Sequence, residues 1–91
     1  MYLFNLPKNT LAFSCTHVYK GGRDILFISH DEDGDWQFMC GDNNHDSDNG
    51  VLLCLEHITE IDASVNEVAD LPFGFAAERE SKNKDWERFE W

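Results

Sequence analysis

The side chains best equipped for chemistry are three cysteines, Cys15, Cys40 and Cys54, and four histidines, His17, His30, His45 and His57. Cys15-Thr16-His17 and Cys54-Leu55-Glu56-His57 each place a thiol near an imidazole, and Cys40 with His30 or His45 would complete a tetrahedral zinc set. Structural zinc sites draw two ligands from each tight knuckle, whereas Cys54 sits in an apolar run and Cys15 follows Phe13 at strand spacing. Unpaired cysteine is among the most buried residue types, so the three thiols read as core residues and no metal ligand or cofactor is assigned. An odd number of cysteines at wide spacing, with no CxxC pair, is not the pattern of a disulfide scaffold. Nucleophilic catalysis would need Cys40 or Ser29 beside a base that a third group orients. His30 and Asp31 are neighbours in sequence, but neighbours on a strand face opposite ways. With no nucleophile elbow, phosphate loop or HExxH motif, the chain reads as a non-enzyme without catalytic residues.

Carboxylates are the other chemical resource. Residues 1–30 carry a net +2, residues 31–50 carry seven acidic and no basic side chains, and residues 51–91 carry a net −6, within a total of −11. An EF-hand loop needs glycine at its sixth position and a bidentate Glu at its twelfth. Counting from Asp31 these positions are Trp36 and Asp42, and counting from Asn44 they are Asn49 and Leu55, so neither acidic run qualifies. Direct nucleic-acid binding is disfavoured, because it relies on Lys and Arg to displace counterions from the phosphate backbone. A dense acidic surface suits the opposite task of steering and pairing with a basic protein, and it equally suits a solvated rim with no partner. The expected partner-binding residues are therefore Asp31, Glu32, Asp33, Asp35, Asp42, Asp46 and Asp48, with Trp36 anchoring the strand beneath them or forming the contact itself.

These residues need elements to hold them. Leu11 to Tyr19 alternates with period two, predicting a strand with Phe13, Cys15 and His17 on one face. Lys20-Gly21-Gly22-Arg23 is a turn, and Ile25 to Ile28 returns as a strand covered on both faces, giving an antiparallel hairpin with the first. Asp31 to Asp35 punctuates before a third strand, Trp36 to Cys40, which Gly41 ends. Residues 42–50 contain no apolar side chain and read as a solvated loop, and Val51 to Leu55 follows as a fourth strand of central type. Ile58, Ile61, Val65, Val68 and Leu71 recur at helical spacing, with Asp62 and Ser64 as caps, so one helix breaks near residue 62 and a second runs from about Ala63 to Asp70. Pro72 forces an exit, Phe75 to Arg79 is a last strand, and the aromatic tail 85–91 folds back onto the sheet or is presented to another chain.

The fold class that follows is α+β: a single small domain over residues 1–91, mainly an antiparallel sheet of four to five strands with one or two short helices. Ninety-one residues, 42% hydrophobic and 13% aromatic, suffice for one core and leave no room for a second domain. No apolar run approaches the ~20 residues of a membrane helix, and the start lacks the pattern of a secretory signal, so a cytoplasmic location without membrane association is expected.

A family resemblance adds to this. Gly34-Asp35-Trp36-Gln37-Phe38, Gly41-Asp42, Ile61-Asp62-Ala63-Ser64 and Pro72-x-Gly74-x-Ala76-x-Glu78-Arg79 occur in an order that resembles a small bacterial family of unknown function, grouped with the immunity-protein-33-like proteins of polymorphic toxin systems. The resemblance covers about residues 25–80 and carries no catalytic residues over. It implies an immunity-like role, a protein that binds and silences a toxin. The expected function is thus an antagonist that occludes a basic toxin or nuclease with its acidic loops, as a monomer or homodimer. The alternative is a metal- or small-ligand-binding module with no protein target.

Overall fold

The computed structural model describes residues 2–20, 22–41 and 50–91. Six strands, β1 (Leu11–Cys15), β2 (Phe27–His30), β3 (Trp36–Met39), β4 (Gly50–Cys54), β5 (Phe75–Glu78) and β6 (Glu87–Glu90), form one sheet in the order β4-β1-β3-β2-β5-β6. Helix α1 (Thr16–Tyr19) follows β1 directly, α2 (Leu55–Ile61) follows β4 directly, and a 3-10 helix (Ala63–Val68) precedes β5. The architecture is α+β as expected, but the sheet has more strands and is mixed, because β1 and β3 run parallel while the other neighbours are antiparallel.

Cross-strand register assigns each side chain to a face, since directly paired residues point the same way. Ile28 pairs with Phe38 and Ala77, Ser14 with Phe38 and Val51, and Ala12 with Leu53. These residues line the closed face, where Phe4, Val18, Ile25, Leu55, Ile58, Val65, Val68 and Leu71 complete the core. Burial of each such large side chain stabilises the fold by about 1.5–3 kcal/mol. Ser14 meets no water there, and its hydroxyl donates to the Phe38 carbonyl at 2.7 Å, tying β1 to its parallel neighbour.

Several expected elements shift. The first strand stops at Cys15, and the chain turns helical at Thr16, so His17 leaves the face shared by Phe13 and Cys15. β1 and β2 do not form a hairpin: β1 lies between β3 and β4, while β2 begins at Phe27 and lies between β3 and β5. β4 is an edge strand rather than a central one. Its continuous apolar run is divided, with Leu55 serving α2 and Leu52 standing 54% exposed. The break near residue 62 is where expected: Asp62 ends α2 and caps the 3-10 helix by accepting from the Ser64 amide at 3.0 Å, so Asp62 rather than Ser64 is the cap. The tail becomes β6, paired with β5, and its charged Glu87, Arg88 and Glu90 discourage further pairing at that edge.

Behind the sheet, Arg79 is 7% exposed, and its guanidinium meets the Asp62 carboxylate at 2.8 Å. It also donates to the Ile25 carbonyl from Nε and Nη2, at 3.1 and 2.8 Å, and to Ser64 Oγ at 2.9 Å. The Trp86 ring lies 4.0 Å beyond it. Four segments of chain are thereby fastened through one side chain, and the buried charge is paired.

Candidate functional site

The opposite face of the sheet is only partly covered. Leu11, Phe13 and Leu52 share it by register and are 61%, 44% and 54% exposed. Phe13 pairs across the parallel join with Gln37, and Gln37 pairs with Ser29 on the far side. Further along, Phe27 packs against the rings of Phe89 and Trp91 at 6.5 and 5.7 Å, so among the described residues the tail covers the β5–β6 side and leaves the β4–β1 side open. Trp91 remains 55% exposed and Phe89 half-buried, while Trp86 turns toward Arg79 and donates its indole N–H to the Ser64 carbonyl at 3.3 Å.

The acidic turn is joined to this open face. Asp31 to Asp35 link β2 to β3, closed by the Gly34 amide donating to the Asp31 carbonyl at 2.9 Å and the Asp31 amide donating to the Asp35 carbonyl at 2.8 Å. Gly34 has φ +97°, a left-handed conformation that an L side chain rarely adopts, so the turn needs glycine there. The Asp31 carboxylate accepts from Gln37 Nε2 at 3.1 Å and from Ser29 Oγ at 3.4 Å, which folds it onto the open face. Asp33 accepts the Asp35 amide at 3.2 Å, and Glu32 leans over Gly74. Carboxylate oxygens of Asp31, Asp33 and Asp35 lie within 4.8 Å of one another, with Asp33 and Asp35 exposed.

The structure describes five of the eight expected partner-binding residues. Asp31, Glu32, Asp33 and Asp35 are gathered at one turn, while Asp42, Asp46 and Asp48 lie outside the described residues. Trp36 is 3% exposed and belongs to the core, so of its two expected roles the anchor is the one its burial fits. Its ring stacks on His30 at 4.0 Å, and the His30 Nδ1 donates to the Leu71 carbonyl at 2.7 Å. Both rings, with Phe4, Leu6, Ala69 and the 65%-exposed Phe73, border an apolar hollow of about 360 Å³. The buried Trp36 Nε1 has no hydrogen-bond partner among the described residues.

A third grouping was not assigned from the sequence. One ligand atom each from Cys15, His17 and Cys40 lie within 4.8 Å of one another, and the Cys40 Sγ stands 3.8 Å from His17 Nδ1. Of the zinc combinations weighed above, this keeps Cys15, His17 and Cys40. Cys54 and His57 are outside it, and His30 is held beside Trp36. His45 lies outside the described residues. None of the three cysteines is in a disulfide. The signal in sequence was Cys-x-His; its union with Cys40 depends on β1 and β3 being parallel neighbours, which spacing does not encode.

Among the described residues no helix is long and apolar enough to cross a membrane. No protein-family model, curated protein or solved structure matches the chain.

Proposed function

We propose that this is a protein-binding module that receives a basic protein on the open side of its sheet, acting as an immunity-like antagonist in the bacterial cytoplasm. The observation that carries the reading is the continuity of two surfaces: exposed Leu11, Phe13 and Leu52 lead through Gln37 to the Asp31 carboxylate and the acidic turn behind it. Apolar side chains beside uncompensated like charges suit a partner with an apolar centre and a cationic rim. Steering by the carboxylates speeds encounter, and exclusion of water over Phe13 supplies affinity. A second copy of the chain fits less well, because each would bring a net charge of −11. The resemblance of residues 25–80 to immunity-protein-33-like proteins points to a toxin or nuclease as the basic partner, silenced by occlusion.

The test is affinity capture from the native lysate at low and moderate salt, with wild type and a Phe13→Asp/Leu52→Asp variant side by side. Support requires a basic protein retained by wild type, weakened by salt and lost with the variant. Retention of the same proteins by both, or self-association as the sole variant-sensitive interaction, would overturn the reading.

A further inference from the structure

Cys15 is the last residue of β1, and Cys40 is the first residue after β3. These strands form the one parallel pairing among the described strands, with Ser14 opposite Phe38, so both thiols leave the sheet at the same end. In open sheets the carboxyl ends of adjacent parallel strands are where ligand sites are built, because the chain leaves both strands there and side chains converge without a covering turn. Here the convergence is held from several directions. The chain turns helical at Thr16, which brings His17 back over the strand end, and the Arg23 amide donates to the His17 carbonyl at 3.1 Å. After Cys40, Gly41 takes φ +79°, and a Cβ there would come within 3.3 Å of Leu26 Cβ, so the exit path of the second thiol is fixed by a residue that must be small.

The donors match a borderline-soft cation. Two thiols and an imidazole favour zinc over calcium or magnesium, which prefer oxygen. In a tetrahedral zinc site, bonds of about 2.3 Å to sulfur and about 2.0 Å to nitrogen place neighbouring ligand atoms roughly 3.5–3.8 Å apart. The separation of Cys40 Sγ from His17 Nδ1 is 3.8 Å, and the whole set spans no more than 4.8 Å, so closure on an ion needs an inward movement of about 1 Å or less. Cys15 and Cys40 are 1% and 4% exposed, which shields thiolate–metal bonds from competing water, while the half-buried His17 gives the cluster a side toward solvent.

We propose that Cys15, His17 and Cys40 form a transition-metal site that takes zinc through two thiolates and one imidazole nitrogen. Binding displaces a proton from each thiol, and three protein donors leave a tetrahedral ion a further corner for water. The site is at the opposite end of β3 from the acidic turn and does not depend on the partner surface.

Anaerobic titration of the reduced full chain with cobalt(II), followed by displacement with zinc, is the test. The expected result is one cobalt per chain, a thiolate-to-cobalt charge-transfer band with tetrahedral visible bands, and loss of both when zinc is added. Cys15→Ser and Cys40→Ser should each weaken binding by roughly 100-fold or more and reduce the charge-transfer band, while Cys54→Ser leaves both unchanged. His17→Gln, at a half-buried position, should retain the fold and weaken binding comparably, which keeps the test decisive if a buried cysteine variant fails to fold. The proposal is overturned if the wild type shows no charge-transfer band at stoichiometric cobalt, if His17→Gln binds as well as wild type, or if Cys54→Ser removes the signal.

Discussion

The two faces of the sheet use the same kinds of residue in opposite ways. On the closed side, Arg79 and Asp62 are charges taken out of water, and each is answered: the guanidinium reaches a carboxylate, two backbone carbonyls and a hydroxyl. On the open side, Leu11, Phe13 and Leu52 are apolar groups left in water beside carboxylates that no Lys or Arg in residues 31–50 offsets. Buried and paired charge fastens segments of chain together; exposed apolar surface next to carboxylates with no ion pair among the described residues is stability forgone, which a folding requirement does not explain. On the function proposed above, one face maintains the fold and the other carries recognition.

The largest effect should come from breaking the closed side. Asp62→Ala leaves the Arg79 guanidinium buried without its carboxylate and removes the cap of the 3-10 helix, and should cost about 3–5 kcal/mol, read from the denaturant midpoint. Arg79→Lys should recover only part of the stability lost in Arg79→Ala, since an ammonium cannot span Asp62, Ile25 and Ser64 together.

On the open side the pattern should invert. Leu52→Asp should change stability by less than about 1 kcal/mol while weakening partner binding by about 2 kcal/mol, a hot-spot effect. Asp31→Asn should act more gently. It keeps an acceptor oxygen for only one of its two donors, Gln37 or Ser29, which meet different carboxylate oxygens, and it removes a charge, so association should slow and its salt dependence should flatten.

The smallest effect belongs to the exposed pair of Arg88 and Asp70, 2.9 Å apart. The hydrogen bond from Arg88, aided by its charge, holds the Asp70 carboxyl below its ordinary value. A carboxyl lowered in the folded state contributes stability above its unfolded pKa and loses that contribution as pH falls through the folded pKa. Arg88→Ala should therefore return the Asp70 titration to the ordinary range in an NMR pH series. The stability change should be only a few tenths of a kcal/mol, since both side chains are well exposed and screened.

Much of the closed side was legible in sequence. Period-two alternation located β3 and most of β1, helical spacing located the Ile58–Val68 layer, and Asp62 marked the break between its two helices. What escaped depends on pairing between distant strands. A Gly-Gly turn argued for a β1–β2 hairpin, yet β1 prefers β3 and β4, where Ser14 finds the Phe38 carbonyl and Ala12 meets Leu53. The same pairing decides the sites. It exposes Phe13, which alternation alone could place on either face, and it joins Cys40 to Cys15 and His17. The acidic turn was legible because its residues are contiguous; the apolar surface beside it was not, because Leu11, Phe13 and Leu52 come together only through the β1–β4 register.

The most direct measurement is a titration of the purified basic partner recovered by capture against wild type, Phe13→Asp and a closed-side surface control, Glu67→Ala, at two salt concentrations. The expected result is at least roughly tenfold weaker binding for Phe13→Asp, wild-type affinity for Glu67→Ala, and weaker binding by wild type at the higher salt. Equal affinity for Phe13→Asp and wild type would contradict recognition through the open face.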